Sequence, residues 1–183
     1  NKLAPSLNLS YEAEELPFSI KPESKVDVAD GMSLRRETYE GTQWDMTQNL
    51  KVEQKQRGSD EVKIITSPAA NPWMTTDMVN MLNAVDKDAV VRYRLVSVPQ
   101  CSYSHVIQLR GWLPDDVGGV AWVSFDNPGQ SPRFPIFCGT TKLPAGFNIC
   151  GQHRYREDAP IWTYRRANKL ATVRRGLTRD KIN

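Results

Sequence analysis

The side chains that could act as nucleophiles or proton carriers are few, and two of them, Ser131 and Cys138, share the stretch SFDNPGQSPRFPIFCG at residues 124–139. It reads as a strand, a Gly/Pro-interrupted turn exposing Asn127, Ser131 and Arg133 at its tip, and a second apolar strand. Either it forms the lip of an active site or it is a packed β-corner. A thiol attacks only when a base or a helix N-terminus lowers its pKa. Cys138 falls inside an apolar strand, which favours inert packing.

Only two histidines, His105 and His153, could serve as bases for a Ser-His-Asp arrangement. His105 alternates onto the same strand face as Ile107 and Leu109, so it is expected to be a buried, hydrogen-bonded structural residue. His153 lies in GQHRYRED, among charges, and reads as a surface or capping residue. The carboxylate pairs Asp115–Asp116 and Glu157–Asp158 are adjacent in sequence, whereas paired-acid catalysis needs carboxylates that converge from separate segments. Gly118–Gly119 lacks both the P-loop Lys-Ser/Thr and dinucleotide spacing, and reads as a turn. Cys101, Cys138 and Cys150 form no CxxC, so neither a zinc site nor a disulfide framework is indicated, and buried small hydrophobes are expected. No catalytic, cofactor-binding or metal-binding residue is assigned, and no cofactor is expected.

Positioning any of these groups falls to a chain of 183 residues, enough for one core burying roughly 70 % of its unfolded surface. No apolar run approaches the ~20 residues of a membrane span, and the N-terminal stretch has no signal-peptide pattern. Neither a membrane nor a nucleic acid is an expected partner. The net charge of +3 is uneven: residues 149–183 carry nine Lys/Arg against three Asp/Glu. Such an arm could bind phosphates. Its arginines, however, stand beside Glu157 and Asp158 or alternate with apolar residues, as on the wet face of a helix, and no nucleic-acid motif accompanies them.

Residues 1–25 are Pro- and Glu-rich and read as extended. A helix is expected from about Asp27 to Glu40, capped by Asp27 with Asp30 three residues later, and with Val28, Met32, Leu34 and Tyr39 on its apolar face. KVEQKQRGSDEVK reads as an exposed loop, and TTDMVNMLN as a short helix opened by Thr75 or Thr76. Four strands follow, AVVRYRLVSV, YSHVIQLRGWL, GGVAWVSFD and RFPIFCG, forming an antiparallel sheet of consecutive hairpins. The second carries apolar residues on both faces, so both are expected to be covered. The last helix has Asp158 as N-cap, Pro160 in its first turn and Gly176 as its stop, with Ile161, Tyr164, Leu170, Ala171 and Val173 facing inward.

Three long strings, YEGTQWDMT, LPDDVGGVAWVSFDNPGQSPRFPIFCGT and ICGQHRYREDAPIWTYRRANKLATVR, together resemble the central-to-C-terminal portion of the bacterial secreted dipeptidases. That family includes the secernins and is related to the choloylglycine hydrolases and penicillin acylases. The resemblance covers nearly all of residues 17–175. It implies an α+β fold, part of a four-layer αββα N-terminal-nucleophile hydrolase sandwich with antiparallel sheet. It also implies hydrolysis of short unblocked peptides through a thioester on an N-terminal cysteine whose own amine is the base.

The chain departs from that pattern. It begins with Asn1, its cysteines are internal, and Arg175 stands where an aromatic residue is expected. The expectation is a single segment, residues 1–183, truncated at both ends, inactive alone and completed by the N-terminal portion of the same protein. A peptide substrate and a secreted or periplasmic location are implied by resemblance. Because about four strands and three helices cannot fill both sheets of such a sandwich, an open edge and homo-oligomers are expected. The alternative is a non-catalytic structural or interaction module derived from that family.

Overall fold

A computed structural model describes residues 2–10 and 12–182, for residues 180–182 the backbone alone. The chain is α+β, with its strands in two separate antiparallel sheets. Helix α1, Val28–Arg35, begins as its sequence dictates: Asp27 and Asp30 exchange side-chain-to-backbone hydrogen bonds of 3.0 and 2.9 Å in a capping box. It stops five residues short of Glu40. Beyond it the Glu37 carboxylate accepts the Tyr39 N–H at 3.0 Å, and Tyr39 is left-handed with φ 61°, which no helix accommodates.

KVEQKQRGSDEVK is not a loop. It supplies strand β1, Lys51–Lys55, and the start of β2, Val62–Thr66, a hairpin turning around Gly58. All five β1 residues are exposed, which removes the apolar alternation by which a strand is recognised. Helix α2, Thr76–Val85, is capped by Thr75, whose hydroxyl accepts the Met78 N–H. Conversely AVVRYRLVSV forms no strand. Val90 pairs with the Asn83 side chain at 2.9 and 3.0 Å, and the Ser97 N–H reaches the Glu37 carbonyl at 3.0 Å. Its hydrogen bonds thus run to scattered partners, with no neighbouring strand. Val90 and Leu95 join Met46 and Val79 in a small apolar core.

Strand β3, Tyr103–Leu109, pairs with β4, Gly119–Phe125, which pairs with β5, Phe134–Phe137. The short helix α3, Asp115–Gly118, joins β3 to β4. Phe125 and Phe134 meet Phe147 and Tyr164 with ring centroids 5.0–5.9 Å apart, which fastens β4 and β5 to helix α4, Pro160–Val173. Along the edge strand β3 that face is open, contrary to expectation: Tyr103, the register partner of Phe125, and Ile107 and Leu109 further along are 60, 62 and 78 % exposed. His105 is exposed with them and stacks on Tyr103 at 6.0 Å, so it is not a buried structural histidine.

The N-cap of α4 is Ala159, because Asp158 is held by Arg156 at 2.7 Å. Pro160 takes the first turn as expected. Gly176 does not end the helical region; it lies in helix α5, Arg175–Ile182, where a Cβ would collide with the Ser67 carbonyl and Pro68. Close approach to that backbone, not a helix stop, is what requires glycine there. Leu170 and Val173 are exposed, and the residue of α4 turned fully inward is Asn168. No helix among the described residues is long and apolar enough to cross a membrane.

Candidate functional site

The segment leaving β4 is not an exposed tip. Asn127 is 2 % exposed, Gln130 5 % and Ser131 fully buried. Asp126 turns the chain inward with φ 60°, and the Asn127 carbonyl then accepts the Gln130 and Ser131 N–H groups at 3.2 and 3.1 Å. Burial of so many polar groups is tolerable only when they are paired. The Asn127 side-chain oxygen accepts the Ser97 hydroxyl at 2.7 Å and the Gly129 N–H at 3.0 Å. Asn168 donates to the Asp126 carboxylate at 2.9 Å and to the Ser131 hydroxyl at 2.8 Å, while Arg165 Nε reaches Asp126 at 2.8 Å. The loop is therefore a polar brace joining the sheet, α4 and residues 95–98.

This brace decides the fate of the candidate nucleophiles. The Ser131 hydroxyl faces an amide and no base, so nothing there would take its proton. Cys138 is not packed in a strand; it lies just past β5, exposed. Cys150 is exposed and Cys101 partly so, which corrects the expectation of buried cysteines. Asp115 and Asp116 occupy the exposed first turn of α3, and Glu157, Asp158 and His153 lie in an exposed stretch before α4. Gly118 and Gly119 make the junction from α3 to β4. Among the described residues no three His, Cys, Asp or Glu side chains group as metal ligands would.

On the far side of Gly129 the end of α1 meets α5 across a cleft of about 420 Å³, lined by Ala29, Met32, Ser33, Arg36, Glu37, Thr38, Gly129 and Arg175. Arg175 is 2 % exposed. It donates to Glu40 at 3.1 Å and lies over the Trp73 ring at 5.1 Å, yet its Nε and Nη1 have no acceptor. Arg36 makes one long bond, 3.4 Å to the Ser131 carbonyl, and its Nε also lacks an acceptor. Arg133, bonded to Ser104 at 3.1 Å, has its pKa lowered first by burial and then by the charges of Arg36 and Arg35. Cations thus accumulate here beyond their acids.

The cleft has an acidic end too. Lys2 Nζ lies 3.1 Å from both Ser33 Oγ and Glu37 Oε2. Burial pushes the Glu37 carboxyl up, but the Lys2 ammonium and the Tyr39 and Thr38 N–H groups outweigh it and hold the pKa below the ordinary 4.5. A larger cleft, about 530 Å³ between α1 and β3, offers only Arg35 and His105 as charged or titratable groups.

Sequence reasoning counted Arg36, Glu37 and Glu40 only as helix and noted Arg175 only as a departure. The available signal was the string RRETYEGT, whose charges interrupt the apolar face where the helix in fact ends.

The whole chain, residues 1–183, matches the sequence pattern described as peptidase family C69. Over 135 residues it is 27 % identical to a "probable dipeptidase" of Latilactobacillus sakei, a match covering 74 % of this chain and 21 % of that protein. The chain thus spans about a fifth of the length of the curated relative it matches. No solved structure matches it.

Proposed function

The chain belongs to peptidase family C69, and on that premise we propose that it is a segment of a cysteine-type dipeptidase of the N-terminal-nucleophile hydrolase class. The family match along the whole chain carries the reading, and the likeness to a probable dipeptidase supports it. The attacking thiolate is a cysteine at a chain N-terminus whose own amine is the base, and the peptide is cleaved through its thioester. Cys101, Cys138 and Cys150 are internal and free, and among the described residues no histidine is hydrogen-bonded to any of them. In this reading the segment is joined to the N-terminal portion that brings the nucleophile.

An assay of Ala-Ala hydrolysis tests this. The 183-residue chain alone should give no turnover, and the same chain joined to a segment bearing the N-terminal cysteine should give steady release of alanine. Turnover by the chain alone, abolished in Cys138→Ser, would overturn the assignment of the nucleophile. No turnover in the joined protein would overturn the dipeptidase.

A second reading, a non-catalytic interaction module, draws on the open β3 face. Tyr103, Ile107 and Leu109 are exposed on an edge strand, and such an edge templates pairing with another polypeptide. In either reading this face docks the N-terminal portion or a second copy of the chain. Sedimentation that gives a monodisperse monomer at high concentration, unaltered by Leu109→Glu, would sink the docking role.

A further inference from the structure

We propose that the cleft between the end of α1 and Arg175 seats an unblocked dipeptide, its α-ammonium on Glu37 and Ser33 and its α-carboxylate on Arg36 and Arg175. The inference rests on the dipeptidase reading and deepens it by naming the groups that select the two charged ends.

The ammonium end is already occupied by an ammonium. Lys2 Nζ bonds Ser33 Oγ and Glu37 Oε2, each at 3.1 Å, and its side chain is 53 % exposed. A surface pair of that kind is weak and exchangeable. A peptide amine has the same charge and the same donors, so it can take this position. The carboxylate is aimed by its surroundings: Glu37 Oε1 is fixed by the Tyr39 N–H, and Tyr39 is held at a left-handed φ that a bulky residue rarely adopts.

The carboxylate end has donors without acceptors. Arg36 Nε and Arg175 Nε and Nη1 are sealed from solvent and unbonded, a state that buried guanidinium groups seldom sustain. Arg36 hangs on one 3.4 Å bond and is only half-buried, so it can pivot onto an incoming anion. A planar carboxylate matches the guanidinium fork better than any other small anion except phosphate. Arg36 and Glu37, consecutive residues, line the same cleft as Ser33 and Arg175, and an extended two-residue ligand spans roughly 7 Å. The volume of about 420 Å³ lies within the range of small-ligand sites.

Calorimetric titration of the full 183-residue chain with Ala-Ala, N-acetyl-Ala-Ala, Ala-Ala-amide and acetate tests the site. Ala-Ala should bind saturably, and blocking either end should weaken it at least tenfold. Glu37→Gln should abolish the preference over the acetylated peptide alone, and Arg36→Met the preference over the amide alone. Lys2→Ala should tighten Ala-Ala several-fold. Circular dichroism melts of the variants exclude a folding defect, and the Arg36→Lys variant should restore part of the preference over the amide. Acetate binding as tightly as Ala-Ala, with no effect of Glu37→Gln, would overturn the dipeptide and assign the arginines to an acidic side chain of another polypeptide. No binding of Ala-Ala, or binding indifferent to Arg36 and Glu37, would also overturn the site. If the joined protein still hydrolyses Ala-Ala in that case, the dipeptidase reading survives; binding without hydrolysis would spare the site and sink the reading.

Discussion

The Asn168 side-chain amide donates to the Asp126 carboxylate at 2.9 Å, tying the middle of α4 to the residue that leaves β4. Both residues are nearly sealed from solvent, and Arg165 closes the same carboxylate from its other side. Removing the amide would leave a buried carboxylate under-bonded and strip the Ser131 hydroxyl of its partner. Asn168→Ala should therefore destabilise the chain by about 2–4 kcal/mol, while Leu170→Ser, two residues away and 68 % exposed, should change stability by less than ~0.5 kcal/mol. Urea unfolding of the two variants reads the contrast directly; the opposite order would mean that α4 packs by its apolar stripe.

Gly129 lies where three segments crowd together. A Cβ at that position would come within 2.5 Å of Ser97 Oγ, 3.0 Å of Trp73 and 3.3 Å of Asn127 Oδ1. Gly129→Ala should cost about 1–3 kcal/mol by forcing Ser97 and Trp73 apart. Gly111→Ala, with open space around it, is the control and should shift the urea midpoint little.

The three thiols should differ in reactivity by access. In the native chain Cys138 and Cys150 should react with a disulfide reagent at rates near those of a free thiol, and Cys101, partly covered, more slowly. Two fast equivalents and one slow are expected in stopped flow. A protected Cys138 would restore the packed-strand reading.

Glu37 should leave a mark on the acid limb of stability. Its folded pKa is lowered, so its contribution is fully present above the unfolded value near 4.5 and disappears as pH falls through the folded one. Lys2→Ala removes one of the groups that lowers it, so the difference in melting temperature between the wild type and Lys2→Ala should shrink below about pH 4.5. A difference that stays constant from pH 6 to pH 3 would show that the pair is not formed in solution.

Local chemistry was legible from the sequence. The Asp27–Asp30 capping box, Thr75 at the head of α2, Pro160 in the first turn of α4 and the alternation of β3 all depend on residues within one turn or one strand of each other. Elements lacking such local contrast were misread. β1 has no buried face to mark it, and 89–98 has strand-forming residues without a neighbouring strand to pair with.

The residues themselves thus determined the starts of α1 and α2, the α+β character and, through long matching strings, the family. Which side chains are buried was decided by tertiary structure alone. Asn127 and Ser131 look like a solvated turn until Ser97, from thirty residues earlier, and Asn168, from thirty-seven later, supply their hydrogen bonds. Arg36, Glu37 and Arg175 likewise become one cleft only when α5 folds back beside α1. A polar group's burial depends on partners that arrive from far along the chain, and pairing at such distances leaves no periodic trace in the sequence.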